Sequence, residues 1–278
     1  MVAALRQVID MGPTLGRDGR VVTRISVPSP ELRKGLSASP YDGSMTDSLQ
    51  QLRALVHEHE LRAVVSDLDG VLRVFDPALW SELDAIAGVP DGAAFTAVLG
   101  HPFLDEVVRG RGTHQQWRER SAAALVEAGG TPQSAASALR TWLASPARVD
   151  RGLLAELEAL RSEGLGVFVL TNGTDRVPEE LEELGLTAFL GDGGRFLLNT
   201  ADLGAAKPDH EAFVRAHARI EQELCASVRP DEIAFLDDSA RHVRGAARFG
   251  WHAVHHRPAR DRFRRSDPDP SEGGAGLP

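Results

Sequence analysis

The run VVSDLDGVLRVFD, from Val64 to Asp76, carries two carboxylates one residue apart at the end of an apolar segment. Acidic residues are poor strand formers, and Asp67 and Asp69 repel one another there unless a cation or a substrate offsets their charge. Three more polar groups follow apolar runs: Thr171-Asn172-Gly173, Lys207 in AAKPD, and Asp237-Asp238-Ser239. Taken singly, each reads as a turn, a solvated strand end or a surface lysine. In this order they fit one chemistry. A carboxylate attacking phosphorus forms an aspartyl-phosphate and divides hydrolysis into two easier steps. Carboxylates around one Mg2+, with a nearby lysine, neutralise the charge of a phosphoryl group. A hydroxyl and backbone N–H groups hold its non-bridging oxygens. A second acid two residues from the nucleophile protonates the leaving oxygen and later takes a proton from water.

These groups need strands to carry them. RAVVSD, GVFVLTN, EIAFLDD and WHAVHH are short apolar runs with β character, and RFLLN is a fifth candidate. Helical patterns lie between them. Leu49, Leu52, Leu55 and Val56 share one face, as do Leu153, Leu154, Leu157 and Leu160, and PEELEELGL, PDHEAFVRAHARIEQEL and SARHVRGAARFG follow. Alternating β and α elements predict an α/β fold, a Rossmann-like parallel sheet with helices on both faces. Ligands of such a sheet collect at the carboxyl ends of its strands. Residues 77–146 break the alternation with successive helical signals and no strand. Thr113 and Gln116 stand at capping-box spacing, and Thr131 precedes Pro132. That stretch reads as an inserted all-α domain.

The set closely resembles the haloacid dehalogenase-like hydrolase superfamily over roughly residues 61–257, through DLDGV, TNGT, KPD and FLDDS in order. The resemblance implies a core at 46–76 and 147–257, with a mobile helical cap at 77–146. It also implies Mg2+-dependent phosphatase chemistry on a small phosphorylated metabolite. By resemblance Asp67 is the nucleophile, and Asp69 is the acid/base and gives its main-chain carbonyl to the metal. Thr171 and Asn172 hold the phosphate, Lys207 bridges the nucleophile and the phosphoryl group, Asp237 is a metal ligand, and Asp238 is one directly or through water. Dehalogenating members lack the acid two positions after the nucleophile and need no metal, so Asp69 favours phosphoryl transfer. Val71, the LRVFD continuation and His242 depart from patterns common in the family and argue against any particular named phosphatase. A phosphomutase of the same fold and a non-catalytic metal- or ligand-binding regulatory module are the alternatives.

By the same resemblance the cap recognises the substrate, and Arg109, Arg111, His114 and Trp117 in VVRGRGTHQQW are its candidates; the competing reading is a solvated helix start with Trp117 in the cap core. His57, His59, His252, His255 and His256 lack converging metal-ligand spacing and read as surface residues. The single cysteine, Cys225, excludes an intramolecular disulfide and a cysteine zinc cage, and reads as a half-buried helix position. A net charge of -9 with no Lys/Arg block argues against a nucleic-acid partner. No apolar run reaches membrane-spanning length and the N-terminus has no secretory pattern, so a cytoplasmic location is expected. Residues 1–45, rich in Gly, Pro and Ser, read as a flexible extension with a short strand at RVVTRISV and Met45 as an alternative start, and 258–278 as a disordered tail.

Overall fold

The computed structural model describes residues 47–257, together with the paired dipeptides Thr14–Leu15 and Val21–Val22. Apart from those dipeptides, the expectations for 1–45 and 258–278 lie outside the described residues. The order is α1 (Asp47–Glu58), β1 (Ala63–Ser66) and β2 (Arg73–Val74), then five helices: α2 (Leu79–Ala87), α3 (Ala93–Val98), α4 (Phe103–Val107), α5 (His114–Glu127) and α6 (Pro132–Ala144). The chain returns through β3 (Arg148–Val149), α7 (Arg151–Ser162), β4 (Gly166–Thr171), α8 (Val177–Glu183), α9 (Thr187–Leu190) and β5 (Leu197–Asn199). It ends with α10 (Thr200–Leu203), α11 (His210–Leu224), β6 (Ile233–Asp237), α12 (Ala240–Phe249) and β7 (His252–His255).

Five strands form one parallel sheet in the order β5-β4-β1-β6-β7. Alternate side chains sort onto its two faces. Val64, Val167, Val169, Ala234, Leu236 and Val254 meet α1 and α7 in one core. Ala63, Val65, Phe168, Leu170, Ile233 and Phe235 meet α11 and α12 in the other, through Phe213, Ala216, Ile220 and Ala246. Burial on both faces is why these strands read as unbroken apolar runs. The strand order reverses at β1, so its carboxyl end faces a crevice between neighbours whose connections diverge.

The five helices from α2 to α6 form a lobe with its own core of Leu83, Val98, Val107, Trp117, Leu125 and Leu139, among others. Both expected caps are present. Thr113 and Gln116 close a capping box on α5, and Thr131 caps α6 with Pro132 in its first turn. The lobe joins the sheet through β2 and β3, which pair antiparallel, Arg73 opposite Val149 and Val74 opposite Arg148. This pairing has no sequence signal, because each strand is two residues long and its partner is distant in the chain.

Two expectations need correction. His256 is buried rather than on the surface, with Nδ1 3.0 Å from Ser48 Oγ. Cys225 is exposed, in the left-handed conformation that ends α11, not half-buried within a helix. His59 and His252 stack with ring centroids 4.1 Å apart, and His255 Nε2 lies 2.8 Å from the Asp238 carbonyl.

Candidate active site

Asp67 follows the last residue of β1, Asp237 ends β6, and Lys207 lies just before α11. All three are interior, 6%, 0% and 3% exposed. The Lys207 ammonium has three protons and meets three oxygens, Asp67 Oδ1, Asp237 Oδ2 and the Leu170 carbonyl, each at 2.8 Å. The Leu68 N–H also donates to Asp67 Oδ1 at 2.7 Å, so both contacts fall on the same oxygen of the nucleophile candidate. Asp237 Oδ1 accepts from the Ser239 N–H at 2.8 Å and lies 3.1 Å from His242 Nδ1. Lys207 therefore bridges two buried carboxylates.

The charges of the centre do not balance. Burial pushes the Asp67 carboxyl well above the usual range; Lys207 pulls it down and Asp237 pushes it up again. Burial is the largest influence on Asp237 and would raise it, but Lys207 and His242 together outweigh it and hold that carboxyl below the usual range. Asp238 is raised by burial and then by the neighbouring Asp237 charge. Lys207 is raised: burial opposes its charge, but Asp67 and Asp237 prevail. Asp67, Asp69, Asp237 and Asp238, with Glu180 on the other side of Arg73, outnumber the cations Lys207 and Arg73. A divalent cation offsets part of that surplus, and hard carboxylate oxygens suit one such as Mg2+. Asp67, Asp237 and His242 offer ligand atoms within 4.8 Å of one another. Both Asp237 oxygens, however, are already taken by Lys207, Ser239 and His242. Asp238 is better placed to add a ligand: a Cβ on Gly70 would stand 2.1 Å from Asp238 Oδ2. The Asp238 carboxylate thus lies against the backbone that follows Asp69.

After Asp69 the chain makes one tight turn. Gly70 has φ +76°, its N–H donates to the Arg73 carbonyl at 2.8 Å, and the Arg73 N–H donates to the Leu68 carbonyl at 2.7 Å. This brings Arg73 opposite Asp69, where Nε and Nη2 donate to the two carboxylate oxygens at 2.6 and 2.9 Å. Nη1 donates to Glu180 Oε2 on α8 at 2.7 Å. Sequence reasoning missed Arg73. His242, a departure from the family pattern in the sequence, contacts Asp237.

Thr171 ends β4 and is buried. Asn172 uses both ends of its amide on the backbone of Lys207: Nδ2 donates to the carbonyl and Oδ1 accepts from the N–H, each at 2.9 Å. In this arrangement Asn172 fixes Lys207. The four cap candidates do not converge. Arg109 pairs with Asp105 and reaches Asp209 at 2.6 Å, tying the lobe to the start of α11. Arg111 pairs with Glu106 on the surface. The His114 N–H donates to Asp175 Oδ1 at 2.6 Å and its Nδ1 lies 3.3 Å from Thr174 Oγ1, so it docks α5 on the loop after β4. Trp117 packs in the lobe core with Nε1 donating to the Val98 carbonyl at 2.9 Å.

A family model described as haloacid dehalogenase-like hydrolase matches residues 61–250, the span that holds every carboxylate and lysine of this centre. The chain belongs to the haloacid dehalogenase-like hydrolases. The same fold recurs in solved members of the family. A HAD-family enzyme of Bacteroides thetaiotaomicron, in complex with magnesium, is 17% identical with a TM-score of 0.53, covering 74% of this chain and 98% of the other. A HAD-like hydrolase of Porphyromonas gingivalis is 22% identical with a TM-score of 0.50, covering 71% and 91%. A dehalogenase solved with an intermediate complex is 22% identical with a TM-score of 0.52, covering 70% and 84%. At such identities the likeness concerns the fold. Comparison with curated proteins finds no match. Among the described residues, no helix of this haloacid dehalogenase-like chain is long and apolar enough to cross a membrane.

Proposed function

We propose that the chain is a Mg2+-dependent phosphatase that hydrolyses a small phosphorylated metabolite through an aspartyl-phosphate on Asp67. The observation that carries this reading is the surplus of negative charge around Asp67 and Lys207, with Asp69 two residues beyond the nucleophile. Displacing halide from a halogenated acid needs one carboxylate and no cation. Three further carboxylates would repel that anionic substrate. A phosphomonoester arriving with a divalent cation uses all of them.

Asp67, Asp238 and the main-chain carbonyl of Asp69 would hold the cation, with Asp237 beside them. When bound, the cation supplies charge neutralisation for the phosphoryl oxygens. Lys207 holds Asp67 Oδ1 in place, which orients the other oxygen toward phosphorus. As the new P–O bond forms and the ester P–O bond breaks, Asp69, in its protonated form for this step, gives its proton to the leaving oxygen. Water then attacks the aspartyl-phosphate, Asp69 takes the proton, and inorganic phosphate leaves with the Asp67 carboxylate restored. Thr171 and the loop after it face the phosphoryl oxygens, Asn172 keeps Lys207 in register, and the helical lobe serves as the cap. A HAD-family relative, 18% identical with a TM-score of 0.51, is known in complex with magnesium and inorganic phosphate, the two species this reading calls for.

The test is release of inorganic phosphate from a panel of aryl and sugar phosphates with Mg2+. Asp67→Asn is expected to lower turnover roughly 10³-fold or more. Turnover that persists in this variant, or in excess chelator, overturns the reading.

A further inference from the structure

Arg73 takes no step in the scheme above, yet three carboxylate oxygens converge on it. It is 8% exposed, and burying a guanidinium is costly unless its donors are met. Asp69 occupies Nε and Nη2, and Glu180 occupies Nη1. The Asp69 carboxylate has two oxygens and the fork holds both. To meet a leaving oxygen or a water, Asp69 must release at least one arm. Glu180 then keeps the buried guanidinium paired, so the release does not strand a charge. Arg73 also lies on β2, which pairs with β3, and these are the two crossings between the sheet and the helical lobe. Arg73 thus links the acid/base candidate to the strand pair that carries the lobe.

We infer that Arg73 is a positioning residue for the acid/base: anchored by Glu180, its guanidinium ties the Asp69 carboxylate to the hinge strand of the lobe and sets when that carboxylate can reach the reacting oxygen. The inference rests on the phosphatase reading. Arginine suits the task because its planar fork holds two oxygens of one carboxylate and still reaches a second one.

The experiment compares single-turnover release from phenyl phosphate and 4-nitrophenyl phosphate, substrates of similar size. Nitrophenolate departs as a stable anion, whereas phenolate calls for protonation. In Arg73→Met the ratio of phenyl to nitrophenyl rates is expected to fall by about tenfold or more. Glu180→Gln should lower the ratio in the same direction by less, which keeps the test open if Arg73→Met fails to fold. Arg73→Lys should restore part of it. Equal slowing of both substrates overturns the inference, because a merely structural role lowers both rates alike. A second readout needs no turnover: the Arg73 Nε–H signal in the 15N spectrum of the Mg2+-free protein should exchange slowly and be lost in Asp69→Asn. An unchanged signal in Asp69→Asn also overturns the inference. If wild-type protein releases no phosphate from any substrate, the phosphatase reading falls and the catalytic role of Arg73 with it, while the Nε–H signal still reports the fork.

Discussion

Replacing Lys207 with methionine keeps the length of the side chain and removes the ammonium that joins Asp67 to Asp237. Both carboxylates are interior, and Asp237 is fully shielded from solvent. Removing one partner of a buried ion pair costs about 3–5 kcal/mol. With 1 kcal/mol worth roughly 2–4 °C in a domain of this size, the melting temperature should fall by about 6–20 °C at pH 7 in chelator. The deficit should shrink on acidification. Asp67 already has a folded-state pKa above its unfolded value, so the folded form binds the extra proton and gains stability as pH falls. A cycle with Asp237→Asn should give a coupling of about 1 kcal/mol or more. The assay is thermal unfolding of the four proteins of the cycle. A loss under about 1 kcal/mol in Lys207→Met, or a gain in stability, would refute the reasoning.

Gly70→Ala forces a side chain into a left-handed backbone, costing about 1–2 kcal/mol, and its Cβ would collide with Asp238 Oδ2. Calorimetry should show Mg2+ affinity reduced roughly tenfold or more, and unaltered affinity would exclude Asp238 from the cation site. His114 and His256 are each pushed down to about 4, mainly by burial, and the Nε2 of each is buried without a hydrogen-bond partner. The unfolded chain protonates these rings as pH falls through about 6.5 and the folded protein does not, so stability is highest above that pH and declines toward 4. Each should withdraw about 1–2 kcal/mol by pH 5 once solvent screening is allowed for. In His114→Gln the loss in melting temperature between pH 7 and 5 should shrink, and an unchanged slope counts against the assignment.

The centre is largely legible in the sequence, because parallel strands buried on both faces are continuous apolar runs and the groups that end them stand out. Asp67, Thr171 and Asp237 announce themselves in this way, and Lys207 does so through the proline behind it. What remained hidden depends on distant contacts. The fork on Asp69 exists because the chain doubles back at Gly70, and its third arm comes from Glu180, 107 positions later. The Arg109–Asp209 pair spans 100 positions, which is why Arg109 reads in isolation as a candidate for substrate rather than as a tie between lobe and sheet. His256 looks like a surface residue in a polar stretch, but it directly follows β7 and meets Ser48 of α1. Division of labour between adjacent Asp237 and Asp238 is equally invisible in one dimension, since only the fold decides which one faces Lys207.

The pairing of β2 with β3 bears on how such a protein can change over time. Opposed residues of an antiparallel pair stand about 5 Å apart, so the ends of the five-helix segment are already adjacent before any helix is built. A tight turn could join Val74 to Arg148, and a different cassette could be spliced at the same seam. The sheet with its carboxylates would be untouched. The helical lobe and the carboxylate centre can thus be inherited separately.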